Sequence, residues 1–160
     1  GTVYTLEAGD ILFFTPDTTY SFANRGDVPA RFIDCAGRVD DALAAYQALH
    51  QRLPGLSIGR CGMAQALALR GDEAAARHEL QRLLDAHEAG YVSPYQIAMV
   101  QARLGDEAQA LHWLAEAARQ IDFNVVCLPV DPVFDTLRRR PAGRQLLRET
   151  GFAHLADRDG

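Results

Sequence analysis

RCGMAQALALRGDEAAARHELQRLL, residues 60–84, decides how the chain folds. Met63, Ala64, Leu67 and Ala68 recur at the spacing of one helix face. Gly71 follows, a residue free to take the left-handed backbone that ends a helix. Asp72 then offers a side-chain oxygen to the open amides of a second helix. That helix is predicted to run to about Glu88 and to bury Ala76, Leu80, Leu83 and Leu84. The stretch therefore reads as helix, stop, cap, helix.

Working outward, the pattern returns. Gly71-Asp72-Glu73-Ala74 recurs as Gly105-Asp106-Glu107-Ala108, a shift of 34 residues. At that shift Ala64 meets Ala98, Ala76 meets Ala110, His78 meets His112 and Leu80 meets Leu114. One register earlier, Gly37, Ala42, Tyr46 and Leu49 align with Gly71, Ala76, Leu80 and Leu83. Ser93-Pro94 opens the third unit, with Ser as cap and Pro as first helical residue. The alanines are expected where two helix backbones approach closely.

A Gly, then Asp, then Ala five residues after the Gly, then a large apolar residue four later, resembles the tetratricopeptide repeat. The resemblance covers residues 38–151. Within it, Val130-Asp131-Pro132, Phe134, Leu137-Arg138, Pro141, Leu146-Leu147 and Gly151 resemble the closing segment of bacterial repeat arrays. Gly143 stands where that family has an aromatic, so a looser cap is expected. The first unit is incomplete: a second helix is expected over 38–53 with no first helix before it.

Residues 1–35 have another texture. Val3-Tyr4-Thr5-Leu6, Ile11-Leu12-Phe13-Phe14, Tyr20-Ser21-Phe22-Ala23 and Arg31-Phe32-Ile33-Asp34 are short runs separated by turn signals. They predict an antiparallel meander. The order Gly9-Asp10, Pro16, Phe22, Asn24, Gly26-Asp27 and Pro29 through Phe32 is similar to the second cupin motif, half of a barrel. Tyr20 stands where cupins place a metal-binding His, and residues 1–35 contain no His. The fold class expected is thus mostly α, α+β overall: a solenoid of antiparallel helix pairs after a partial cupin-like segment, with 152–160 as a tail.

Composition sets the boundaries of function. The formal charge of -5 disfavours nucleic acid as the main ligand. No apolar run approaches the roughly 18 residues of a membrane span, and no signal peptide is visible. Cys35, Cys61 and Cys127 are odd in number and form no CxxC pair, which suits reduced thiols in a cytoplasm. The basic residues are all Arg, a bias that fits a GC-rich bacterial genome. The chain opens on Gly1 rather than Met and reads as trimmed or as part of a longer product.

The expected activity is binding rather than catalysis, with no cofactor and no metal. The resemblance implies a concave groove lined by the first helices of successive units. The matching positions are Ile58, Cys61, Gln65, Ala68 and Leu69, then Val92, Tyr95, Met99, Ala102 and Arg103. Among these Gln65, Tyr95, Met99 and Arg103 are the candidate contacts for a protein or peptide. Tyr95 and Met99 serve either as anchors or as packing against the neighbouring helix. Arg138, Arg139, Arg140 and Arg144, with Arg148, form a basic patch for a phosphate or an acidic partner, or a solvated cover of the last helix. His78 and His112 read as solvated surface, and Cys61 as a packed thiol. The alternative is the helical arm of a cupin-type sensor or metalloenzyme whose barrel is completed elsewhere, with homodimerisation through the strands.

Overall fold

The computed structural model describes residues 39–156. Five helices alternate in direction: α1 (Val39–Arg52), α2 (Ser57–Leu69), α3 (Glu73–Ala89), α4 (Pro94–Arg103) and α5 (Glu107–Arg119). Two 3-10 segments follow, Phe123–Cys127 and Pro132–Phe134, then short helices α6 (Asp135–Arg138), α7 (Pro141–Glu149) and α8 (Ala153–Ala156). α2 pairs with α3, α4 pairs with α5, and α2 lies beside α4.

The punctuation works as the residues dictate. Gly71 and Gly105 take φ of 84° and 78°. The amides after them donate back into the preceding helix, Asp72 N to Leu67 O and Asp106 N to Gln101 O, both at 3.0 Å. The carboxylates of Asp72 and Asp106 then accept from Ala75 N at 3.2 Å and Gln109 N at 3.1 Å. Gly151 ends α7 the same way at φ 90°. α5 ends with the same bonds, but its left-handed residue is Ile121, at φ 55°. A β-branched side chain strains that conformation.

Ala64, Ala76, Ala98 and Ala110 are all fully buried where the pairs meet. One core cluster joins α2, α3 and α4 through Cys61, Leu80, Leu83, Ile97 and Val100. A second joins α4 and α5 to the closing segment through Tyr95, Leu114, Phe134, Leu137, Leu146 and Leu147. A third, smaller cluster of Leu43, Met63 and Ala66 holds α1 to α2. Gly62 permits that last contact, because a Cβ there would lie 2.2 Å from the Tyr46 ring.

Two expectations change. The α+β fold class is corrected, because the described residues are helical with no strand among them. What they show is all-α. The cupin-like meander over 1–35 lies outside the described residues and is not carried forward. The looser cap at Gly143 is reversed as well. A Cβ at Gly143 would fall 1.9 Å from the Leu137 carbonyl oxygen, so α7 packs backbone to backbone on the end of α6. An aromatic there would push the two apart.

Candidate functional site

α2 and α4 run side by side, and the sequence-based groove positions fall on them, apart from Val92 just before α4. Ile58, Leu69 and Arg103 are exposed, while Gln65, Ala68, Met99 and Ala102 are half-buried. Cys61, Val92 and Tyr95 are buried. Gln65 Nε2 donates to Cys61 Sγ at 3.3 Å, and Cys61 Sγ–H reaches Gln96 O at 3.5 Å. Burial pushes the Cys61 thiol up to about 12, against the smaller opposing effect of the Gln65 contact. Such a thiol is not a nucleophile near neutral pH.

Tyr95 is 3% exposed and belongs to the core, so it is not a protruding anchor. Its ring meets Phe134 edge to face, with centroids 5.3 Å apart. Its hydroxyl donates to Asp131 Oδ2 at 3.0 Å, and its backbone N–H donates to Asp122 Oδ2 at 3.2 Å. Burial first, and then the Asp131 carboxylate, raise its phenol far above the ordinary value. Residues 132–134 lie against α4 and cover this position. Met99 packs at the edge of the same core.

Two buried aspartates fasten the closing segment to α4. Asp122 accepts from Ser93 Oγ at 2.5 Å and from Asn124 N and Nδ2 at 3.0 and 2.9 Å. Asp131 caps its own short helix through Val133 N at 2.9 Å while holding Tyr95. Sequence reasoning found Ser93 as a cap but missed Asp122 and the hold of Asp131 on Tyr95. No local signal could have joined residues 27 to 36 positions apart.

The basic patch divides. Arg138 is only 17% exposed at its side chain. Its Nη1 donates to Leu128 O at 3.0 Å and Asp131 O at 2.5 Å, and its Nη2 pairs with Asp135. It is a staple inside the cap. Arg139 and Arg140 stay exposed, Arg140 pairing with Glu107 at 3.3 Å, while Arg144 is half-buried. His78 and His112 are both exposed, the first accepting from Arg82 Nε at 3.1 Å. Among the described residues no three His, Cys, Asp or Glu side chains converge as a metal site would need. No described helix is long and apolar enough to cross a membrane.

What the α2/α4 face can do is chemically plain. Ile58, Leu69 and Met99 offer apolar contact, Gln65 offers an amide, and Arg103 offers a guanidinium to a carboxylate. Comparison with family models, curated proteins and solved structures returned no match.

Proposed function

We propose that the chain is an interaction module of tetratricopeptide type, binding a segment of another protein along the face shared by α2 and α4. The observation that carries this reading is the side-by-side placement of those two helices, on which Ile58, Gln65, Leu69, Met99 and Arg103 are exposed or half-buried. Grooves of this kind take an extended or helical segment through apolar contacts and a few polar ones. Arg103 selects for an acidic residue in the partner. The reading is of a binder; Cys61 is buried and held as a protonated thiol, so it serves there as packing. Unpaired thiols at Cys61 and Cys127 fit a reducing compartment, and we place the protein in the cytoplasm.

Photo-crosslinking in the producing cell tests the assignment. A benzophenone side chain at position 65 or 103 should give the same adduct, and one at the outward position 78 should not. Leu69→Asp should abolish the adduct without lowering the melting temperature. Equal adducts from position 78, or adducts that survive Leu69→Asp, would refute the groove.

A further inference from the structure

Three connections of the stack carry exposed apolar side chains. Leu53 and Leu56 lie in the link from α1 to α2, Tyr91 in the link from α3 to α4, and Phe123 and Val126 shortly after α5. Tyr91 is 73% and Phe123 80% exposed, the other three about half. Hydrogen bonds join the three segments. Ser57 Oγ donates to Gln96 Oε1 at 2.6 Å, and Gln96 N donates to Ser93 Oγ at 3.3 Å. Ser93 Oγ in turn donates to Asp122 Oδ2 at 2.5 Å and accepts from Asn124 Nδ2 at 3.3 Å. Leu56 is one residue from this run, Tyr91 two, and Phe123 lies between its last two members.

The same segments lack charge. Residues 53–57, 90–94 and 122–130 hold one charged residue, Asp122, and it is buried. The turns inside the helix pairs differ, since Arg70-Gly71-Asp72 and Gly105-Asp106 are charged. Together the five apolar side chains expose on the order of 700 Å², more than the roughly 300–600 Å² of the largest patch on a typical monomer.

We propose that this face joins two copies of the chain in a symmetric dimer. A twofold contact sets one patch against itself, so the patch must complement itself. Apolar groups meet that condition, whereas charges of one sign would repel. The exposed area approaches the roughly 800 Å² that each partner gives to a standard interface. Composition favours a second copy over a transient partner, because homodimer contacts are the more apolar kind, with aromatics enriched and charge depleted at the centre. Tyr91 and Phe123 supply the aromatics. Arg52 and Glu88, both exposed, stand beside the first two links with opposite signs and give a polar rim. The net charge of -5 on each copy then stays outside the contact. This assignment does not rest on the α2/α4 reading.

Sedimentation velocity of the full chain tests it, from about 1 µM to about 100 µM, where a micromolar contact titrates. The mass should rise to that of two chains. Phe123→Asp and Tyr91→Asp, both at exposed positions, should each weaken association about 100-fold or more, because a twofold contact carries the change twice. Helical circular dichroism should not change. Leu69→Asp, on the α2/α4 face, should stay dimeric. In a mixture of isotope-labelled and unlabelled chains, intermolecular NOEs should reach Tyr91 and Phe123. A monomer throughout the range would overturn the proposal, as would residues 1–38 giving NOEs to Phe123 of their own chain and so covering the face in cis. A dimer that survives both substitutions, or one that Leu69→Asp dissociates, would do the same. An intact dimer with no crosslink from positions 65 and 103 would remove the α2/α4 reading alone, so the two fail separately. Ile121 borders the face, so stability changes there are read on the dissociated chain.

Discussion

Replacing Ile121 by glycine should stabilise the protein. Ile121 ends α5 at φ 55°, a conformation that costs an L-residue about 1–2 kcal/mol. The side chain returns little for that cost, because at 89% exposure its burial is worth about 0.3 kcal/mol. Glycine removes the strain but gains unfolded-chain freedom worth about 0.5–1 kcal/mol. The net expectation is a gain of about 0.5 kcal/mol, approaching about 1 kcal/mol if β-branching raises the strain. Gly105→Ile makes the mirror change, at φ 78° one unit earlier, and should cost a similar amount. Urea unfolding with unchanged m-values would report both. Ile121→Gly destabilising by about 1 kcal/mol, beyond the range of typical surface substitutions, would refute the reasoning, as would a neutral Gly105→Ile.

Other substitutions follow from the same contacts. Tyr95→Phe should cost about 1–2 kcal/mol in denaturant unfolding, since it leaves the buried Asp131 Oδ2 without its donor. Gly143→Ala should cost about 2–3 kcal/mol or more through the clash with the Leu137 carbonyl, and hydrogen exchange should localise the loss to α6 and α7. Glu116 is held down to about 2 by hydrogen bonds from Arg119 and Gln120, below its ordinary 4.5. A depressed folded value contributes stability that is present above 4.5 and lost as pH falls toward 2. Melting temperatures of wild type and Glu116→Gln should therefore converge across that window, and a gap that widens on acidification would contradict the assignment. Cys61 should resist a maleimide until the chain unfolds, whereas half-buried Cys127 should label in the native state.

Much of the helical architecture was legible because its signals are local. Gly71-Asp72 and Gly105-Asp106 fix a stop and a start within a few residues, and the buried alanines follow the helical period. Ser93-Pro94 and Asp131-Pro132 are likewise read from neighbours alone. Periodicity gives the face of a helix but not what covers it, so the burial of Tyr95 under residues 132–134 stayed open. Gly143 looked like a missing aromatic because only the backbone path shows the Leu137 oxygen against it. Arg138 looked like surface charge because its acceptors are main-chain carbonyls, which carry no residue signature. Ile121 gave no left-handed cue, since a β-branched residue is not expected at positive φ. The meander over 1–35 rests on β-rich texture and lies outside the described residues.

Gly71-Asp72 and Gly105-Asp106 leave the chain in nearly the same local conformation, one unit apart. Residues 72–105 are therefore a cassette whose two ends are interchangeable. A tandem copy of it, spliced at the glycine, would begin and end on geometry the neighbours already accept. Because each unit touches mainly those beside it, the copy would lengthen the stack while α1 and the aspartate-fastened closing segment kept their own contacts. The length of the α2/α4 face is thus a quantity that a single in-frame duplication could change, with no new interface to invent.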